Sequence, residues 1–242
     1  MIEVRQLAKR FGMVDALRDV TFRAGDGRVT GLLGPNGAGK STTLRILYTA
    51  IRADSGSATV DGHDCTREPL AVRRSLGVLP HATGLYPNLT ARENVRYYGE
   101  LHGMSGSALE RSIDTLVARL DLADIADRRA QGLSQGQRIK VALARALVHG
   151  PRNVILDEPT NGLDVMAIRT LRELIRGLRD EGCCVLLSSH VMQEIGALCD
   201  DLVIIGKGRV VLQGTPDEVR VATGCENLEE AFVQLSHAGQ PA

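Results

Sequence analysis

Nine residues, Gly34-Pro35-Asn36-Gly37-Ala38-Gly39-Lys40-Ser41-Thr42, constrain this chain more than any other stretch. A short apolar run, Arg28–Leu33, precedes them, and a helix-like pattern predicted over Lys40–Ile51 follows. The glycines let the backbone curl so that its N–H groups point at phosphate oxygens. The N-terminus of the following helix adds a positive end. In the pattern G-x-x-x-x-G-K-[ST], Lys40 is placed to reach the β- and γ-phosphates of a nucleotide, and the Ser41 hydroxyl to ligate Mg²⁺. A chance match in a chain of this length is expected on the order of 1% of the time. The strand before and the helix after supply the structural context the pattern requires.

Further short strands are predicted at Ile2–Arg10, Ala16–Phe22, Gly56–Val60 and Ser75–Leu79, with a hairpin turn at Asp61-Gly62. From approximately 88 to 150 the apolar spacing becomes helical, as in Leu109, Ile113, Leu116, Val117 and Leu120, which predicts a helical insert. Strand patterns return at Val154–Leu156, Val185–Leu187 and Leu202–Ile205, with a helix over Val165–Arg179. Strands alternating with helices predict a parallel sheet covered by helices. A single domain over 1–235 with a frayed tail over 236–242 follows, and 43% hydrophobic residues suffice for its core.

The apolar run Val154-Ile155-Leu156 ends in Asp157-Glu158-Pro159. Asp157 is suited to hold Mg²⁺, directly or through water, and Glu158 to take a proton from an attacking water. Such a pair alone is usually a solvated loop end; together with the phosphate loop it reads as functional.

Leu133-Ser134-Gln135-Gly136-Gln137-Arg138, followed by a helical pattern, resembles the LSGGQ signature of the ATP-binding cassette (ABC) ATPases. Asn161-Gly162-Leu163-Asp164 resembles the family's D-loop, and Ser188-Ser189-His190 its switch region. The resemblance runs from about Ile2 to Leu235. It implies an α/β P-loop NTPase fold, with a RecA-like core, a small antiparallel β part and an inserted helical subdomain carrying the signature. It implies ATP and Mg²⁺ as cofactors, with Gly34, Asn36, Gly37, Ala38, Gly39, Lys40, Ser41 and Thr42 at the phosphates. It also implies a head-to-tail dimer in which Ser134, Gly136, Gln137 and Asp164 act at the interface, with Ser134 and Gly136 donating to the γ-phosphate held by the other subunit. A helix N-cap is the alternative reading of Ser134. His190 would bond the γ-phosphate and orient the water. Phe11 falls where the family stacks an aromatic on adenine; an edge-strand role is its alternative.

One position departs from the family. His81, after Gly77-Val78-Leu79-Pro80, stands where Gln is usual, a residue that contacts Mg²⁺ and the attacking water. A neutral imidazole can ligate or bond a water, whereas a protonated one is repelled by Mg²⁺. Turnover slower or more pH-sensitive than is usual is therefore expected, with an exposed loop histidine as the alternative.

The segment Gly84–Asn94 and the tail Asn227–Phe232 resemble single-cassette bacterial exporter ATPases, sodium-extrusion ATPases among them. That implies an integral-membrane permease as partner, received near Tyr86, a second ATPase subunit in the form of another copy of this chain, and a peripheral place on the cytoplasmic face of the membrane. No apolar run approaches the roughly 18 residues of a membrane span. Formal net charge is +0, which argues against nucleic acid as partner. A non-transport ABC ATPase of the ribosome or DNA is the rival reading; sustained heptads or a second cassette would mark it, and neither is present. The five cysteines form no C-x-x-C pair, so reduced, buried thiols are expected.

Overall fold

The computed structural model describes residues 1–189, 195, 196 and 198–238. Its strands are β1 (Ile2–Phe11), β2 (Val14–Ala24), β3 (Arg28–Leu33), β4 (Ser55–Val60), β5 (His63–Asp64), β6 (Leu76–Leu79), β7 (Asn153–Asp157), β8 (Cys184–Ser189), β9 (Asp201–Gly206) and β10 (Arg209–Gly214). Its α-helices are α1 (Lys40–Leu47), α2 (Pro69–Ser75), α3 (Ala91–Leu101), α4 (Gly106–Arg119), α5 (Gln135–Leu147), α6 (Val165–Asp180), α7 (Pro216–Thr223) and α8 (Leu228–Ala238).

The strands form one sheet in the order β5-β4-β1-β2-β10-β9-β3-β8-β7-β6. Within it, β9, β3, β8, β7 and β6 run parallel. The pairs among β1, β2, β4 and β5 are antiparallel. Alternation across the pleat decides which core each residue enters. Val29, Leu33, Val154, Leu156, Val185 and Leu187 pack on the face that receives α3, α4, α5 and α6. Leu32, Ile155, Cys184 and Leu186 point to the opposite face, against Leu44 and Leu47 of α1 and Val4 and Leu7 of β1. Both faces are covered, so the central strands read as unbroken apolar runs.

Most predicted elements occur where expected, with local corrections. The helix after the phosphate loop stops at Leu47 rather than Ile51. Thr49 takes a φ of 62°, which leaves the helical region, and Arg73 holds it there by donating to Thr49 Oγ1 (2.7 Å) and O (3.3 Å). Ser75 ends α2 instead of opening β6. The last helix, α8, runs to Ala238, and the rest of the predicted tail lies outside the described residues. The hairpin at Asp61-Gly62 is present, with φ values of 50° and 82° and Val60 paired to His63, the left-handed pair a tight hairpin needs. Cys65, Cys184 and Cys199 are buried; Cys183 and Cys225 are half-buried.

The helical segment is pinned by Asn94, which is fully buried in the first turn of α3. Its Oδ1 accepts from Tyr86 N (2.8 Å), and its Nδ2 donates to the carbonyls of Tyr86 and Thr90 (3.2 and 2.9 Å). A capping box between Thr90 and Glu93 starts the same helix. The loop 86–90 is thereby shaped by α3. Arg145 of α5 fixes the preceding loop by donating to Gly84 O (3.0 Å) while its guanidinium lies 4.4 Å over the Tyr98 ring.

Candidate functional site

Parallel register brings the C-terminal ends of β3, β8, β7 and β6 to one edge. Leu33 pairs with Ser189, Asp157 with Ser188, and Leu79 with Leu156. The phosphate loop, the acidic pair and His81 leave the sheet from this row, the edge where open α/β sheets bind ligands. They line an open groove of about 570 Å³.

Two glycines show why the loop takes its shape. A Cβ at Gly34 would lie 2.3 Å from Ile205 O, so the loop's first turn fits against β9 only without a side chain. Gly39 has φ 111° and a Cβ there would sit 2.8 Å from Ala16 O. Helix α1 begins directly after it, with no acidic residue in its first turn, so the positive helix end faces the groove uncompensated. Lys40 is 6% exposed, and its Nζ donates to Gly34 O (2.5 Å) and Pro35 O (3.3 Å). Burial pulls its pKa down, opposed by the charges of Glu158 and then Asp157.

Asp157 is 4% exposed at the end of β7. Ser188 Oγ donates to Asp157 Oδ1 at 2.7 Å. The next residue, Glu158, has φ 53°, a left-handed conformation that costs a non-glycine residue about 1–3 kcal/mol. Its N–H points back to Ser188, at 3.0 Å from Oγ and 3.2 Å from O. Tyr48, just past α1, has its hydroxyl pKa raised by burial and then by the charge of Asp157, and Arg45 opposes the shift.

Pro35–Thr42, His81, Asp157 and Glu158 therefore share one groove. Ser41 hydroxyl and Asp157 carboxylate are hard oxygen donors, the kind Mg²⁺ takes, and both residues line the groove beside the glycine-rich loop. His81 is exposed on the groove wall, and its nitrogen is a poorer donor for Mg²⁺, better matched to a water. Phe11 stands apart from that wall. It pairs with Val14 at the β1–β2 turn, is 48% exposed, and has Lys9 Nζ 5.5 Å from its ring. His190 lies outside the described residues.

The signature residues lie outside the groove of their own chain. Ser134 is the N-cap of α5, in a capping box with Gln137: Ser134 Oγ accepts from Gln137 N (3.3 Å), and Gln137 Oε1 from Ser134 N (2.9 Å). Gly136 faces Leu163. Asp164 caps α6, its Oδ1 accepting from Ala167 N at 2.8 Å. Gln135 lines a smaller hollow of about 100 Å³ that joins α5 to His81 and the acidic pair.

Sequence reasoning missed several groove residues. Arg45 lies one helical turn past Ser41, so the i, i+4 spacing was an available signal. Asn161 stood within a quoted motif with no role assigned. Val14, Asp15 and Ala16 come from a distant hairpin, and no local pattern points to them.

Comparison with known proteins agrees with this architecture. The sequence profile described as "ABC transporter" matches residues 17–161. The ABC transporter ATP-binding protein NatA of Bacillus subtilis (strain 168) is 39% identical over 96% of this chain and 97% of its own. The Nod factor export ATP-binding protein I of Burkholderia lata is 36% identical over 94% of this chain and 75% of its own. Among solved structures, a dimeric ATP-binding cassette in a post-hydrolysis state with ADP and Pi superposes with a TM-score of 0.82 at 25% identity, covering 89% of this chain and 98% of that one. The phosphate loop, signature and acidic pair all lie within the matched region, and the chain belongs to the ABC transporter family as an ATP-binding subunit that hydrolyses ATP, with Mg²⁺, to energise transport.

Proposed function

We propose that this chain drives an exporter from the cytoplasmic face of the membrane, as one of two identical ATPase subunits bound to an integral-membrane permease. The observation that carries the site assignment is the convergence of Lys40, Ser41, Asp157 and Glu158 on one groove at one edge of the sheet.

In this reading Gly34, Asn36, Gly37, Ala38, Gly39 and Thr42 present backbone N–H groups to the α- and β-phosphates, and Lys40 reaches the γ-phosphate. Ser41 and Asp157 hold Mg²⁺, with His81 assisting through a water. The bound cation neutralises charge on the phosphates. Glu158 accepts the proton of the attacking water, and His190 orients that water. Phe11 stacks on adenine from the rim. Ser134 and Gly136 reach the nucleotide of the partner subunit, which agrees with their place outside their own groove. Gln137 and Asp164 hold the helix ends that present this surface.

The exporter reading is supported by the relative named for Nod factor export and by the resemblance of Gly84–Asn94 to exporter ATPases of sodium, drug or lipid-like cargo. No helix among the described residues is long and apolar enough to cross a membrane, consistent with a separate permease. The test is co-purification of the tagged chain from gently solubilised membranes of its host. A stoichiometric multi-span protein is expected; recovery on ribosomes or DNA would refute the transport reading.

A further inference from the structure

Beneath the groove lies a residue to which the functional reading gives no task. Ser188 is fully buried near the end of β8, directly across the ladder from Asp157. A serine hydroxyl carries one hydrogen and accepts with its lone pairs. Here the hydrogen goes to Asp157 Oδ1 at 2.7 Å, and a lone pair takes Glu158 N–H at 3.0 Å. The order is fixed, because an ionised carboxylate only accepts and an amide N–H only donates. The hydroxyl is thus a relay between the two acidic residues, polarised by the carboxylate at one end and the amide at the other.

The relay acts on both neighbours at once. It occupies Oδ1 of Asp157 and selects one rotation of a carboxylate that is almost fully buried. It also anchors the peptide N–H of Glu158, whose φ of 53° is unfavourable and must be held. The Ser188 carbonyl, 3.2 Å from the same N–H, contributes to that anchor whatever the side chain is.

We infer that Ser188 is a positioning residue: its hydroxyl sets the Asp157 carboxylate for the divalent cation and the Glu158 backbone for the water. The inference rests on the proposed roles of Asp157 and Glu158. Groups that orient a metal-ligating carboxylate are worth about 10- to 100-fold in metal affinity or activity when removed.

The test uses the full chain with AMP-PNP, titrated with Mn²⁺ and followed by the free-Mn²⁺ EPR signal, alongside Mg²⁺-dependent ATP turnover. Ser188→Thr and Ser188→Val are near-isosteric, so any strain of the added bulk is common to both, and only the hydroxyl differs. Thr is expected to keep the wild-type Mn²⁺ affinity to within about threefold, while Val weakens it about tenfold or more. Ser188→Ala, which adds no bulk, is expected to follow Val, with AMP-PNP binding in EDTA unchanged. Equal Mn²⁺ affinity in Thr and Val, or wild-type affinity in Ala, overturns the inference. Asp157→Asn separates the two levels: if it retains wild-type Mn²⁺ affinity, the assignment of Asp157 itself is wrong. If it loses affinity while Ser188→Ala does not, only the relay fails.

Discussion

The sheet edge and the start of α5 handle polar groups in opposite ways. At the sheet edge, Lys40 and Asp157 are buried, and Ser188 ties Asp157 to Glu158. The desolvation cost of those charges is offset by neighbours within the same chain. At the start of α5, Ser134 is exposed, and its side chain caps only its own helix. One region is preorganised chemistry; the other is a presented surface. The difference fits the proposed reading, in which a single chain builds the phosphate and acid–base half of the site and aims its signature half outward.

The comparison can be broken most directly at its buried end. Glu158→Gln should lower turnover by about 100- to 10,000-fold while leaving ATP binding intact, since only the proton acceptor is lost. Steady-state phosphate release with parallel nucleotide titration checks this. Retained turnover would remove the sheet edge from the chemistry.

The seam between the two regions offers the next test. His102 at the end of α3 and His149 just past α5 stack with ring centroids 3.6 Å apart, in a hollow also lined by Leu76 and Val78 of β6. Burial, then the neighbouring His102, lowers the His149 pKa from 6.5 to about 4. The unfolded chain therefore binds more protons between these values, so stability is unaffected above pH 6.5 and falls as the pH drops towards 4. With solvent screening of a partly exposed ring, the loss is about 2 kcal/mol. Denaturant melts across this range should show it, and His149→Phe, which keeps the stack, should flatten it.

The exposed end can be sharpened with Ser134. Ser134→Ala should cost about 1 kcal/mol by removing the cap. Ser134→Asp should restore the cap and the melting temperature, yet leave turnover reduced by about tenfold or more, because a carboxylate repels a γ-phosphate. If stability and turnover recover together, Ser134 is a cap and nothing else. The smallest effect is expected at His81. His81→Gln should raise turnover roughly threefold, less than about 1 kcal/mol of barrier, and an unchanged rate would mark His81 as a bystander.

What was legible in the sequence follows from where the information lies. β3 was read with its observed bounds because a buried strand ending in a glycine loop is a local pattern. The phosphate loop, acidic pair and signature were each contiguous, so their order carried the site. α1 was overextended because the left-handed turn at Thr49 depends on Arg73, 24 residues away. β10 passed unread: it closes a hairpin with β9 through Lys207-Gly208, at φ 48° and 75°, but its apolar residues Val210, Val211 and Leu212 are consecutive and give no period-two pattern. The Ser188 relay joins residues 31 positions apart through sheet register, which no linear motif encodes.

The central claim is that each hydrolytic site takes its phosphate loop from one chain and its signature from another. Turnover should therefore be measured in an equimolar mixture of Lys40→Ala and Ser134→Asp chains, each reduced about tenfold or more alone. Sites shared between chains give every mixed dimer one intact site, and about a quarter of wild-type turnover should return. Turnover no higher than either variant alone would contradict the account, because it would place both halves of the site within a single chain.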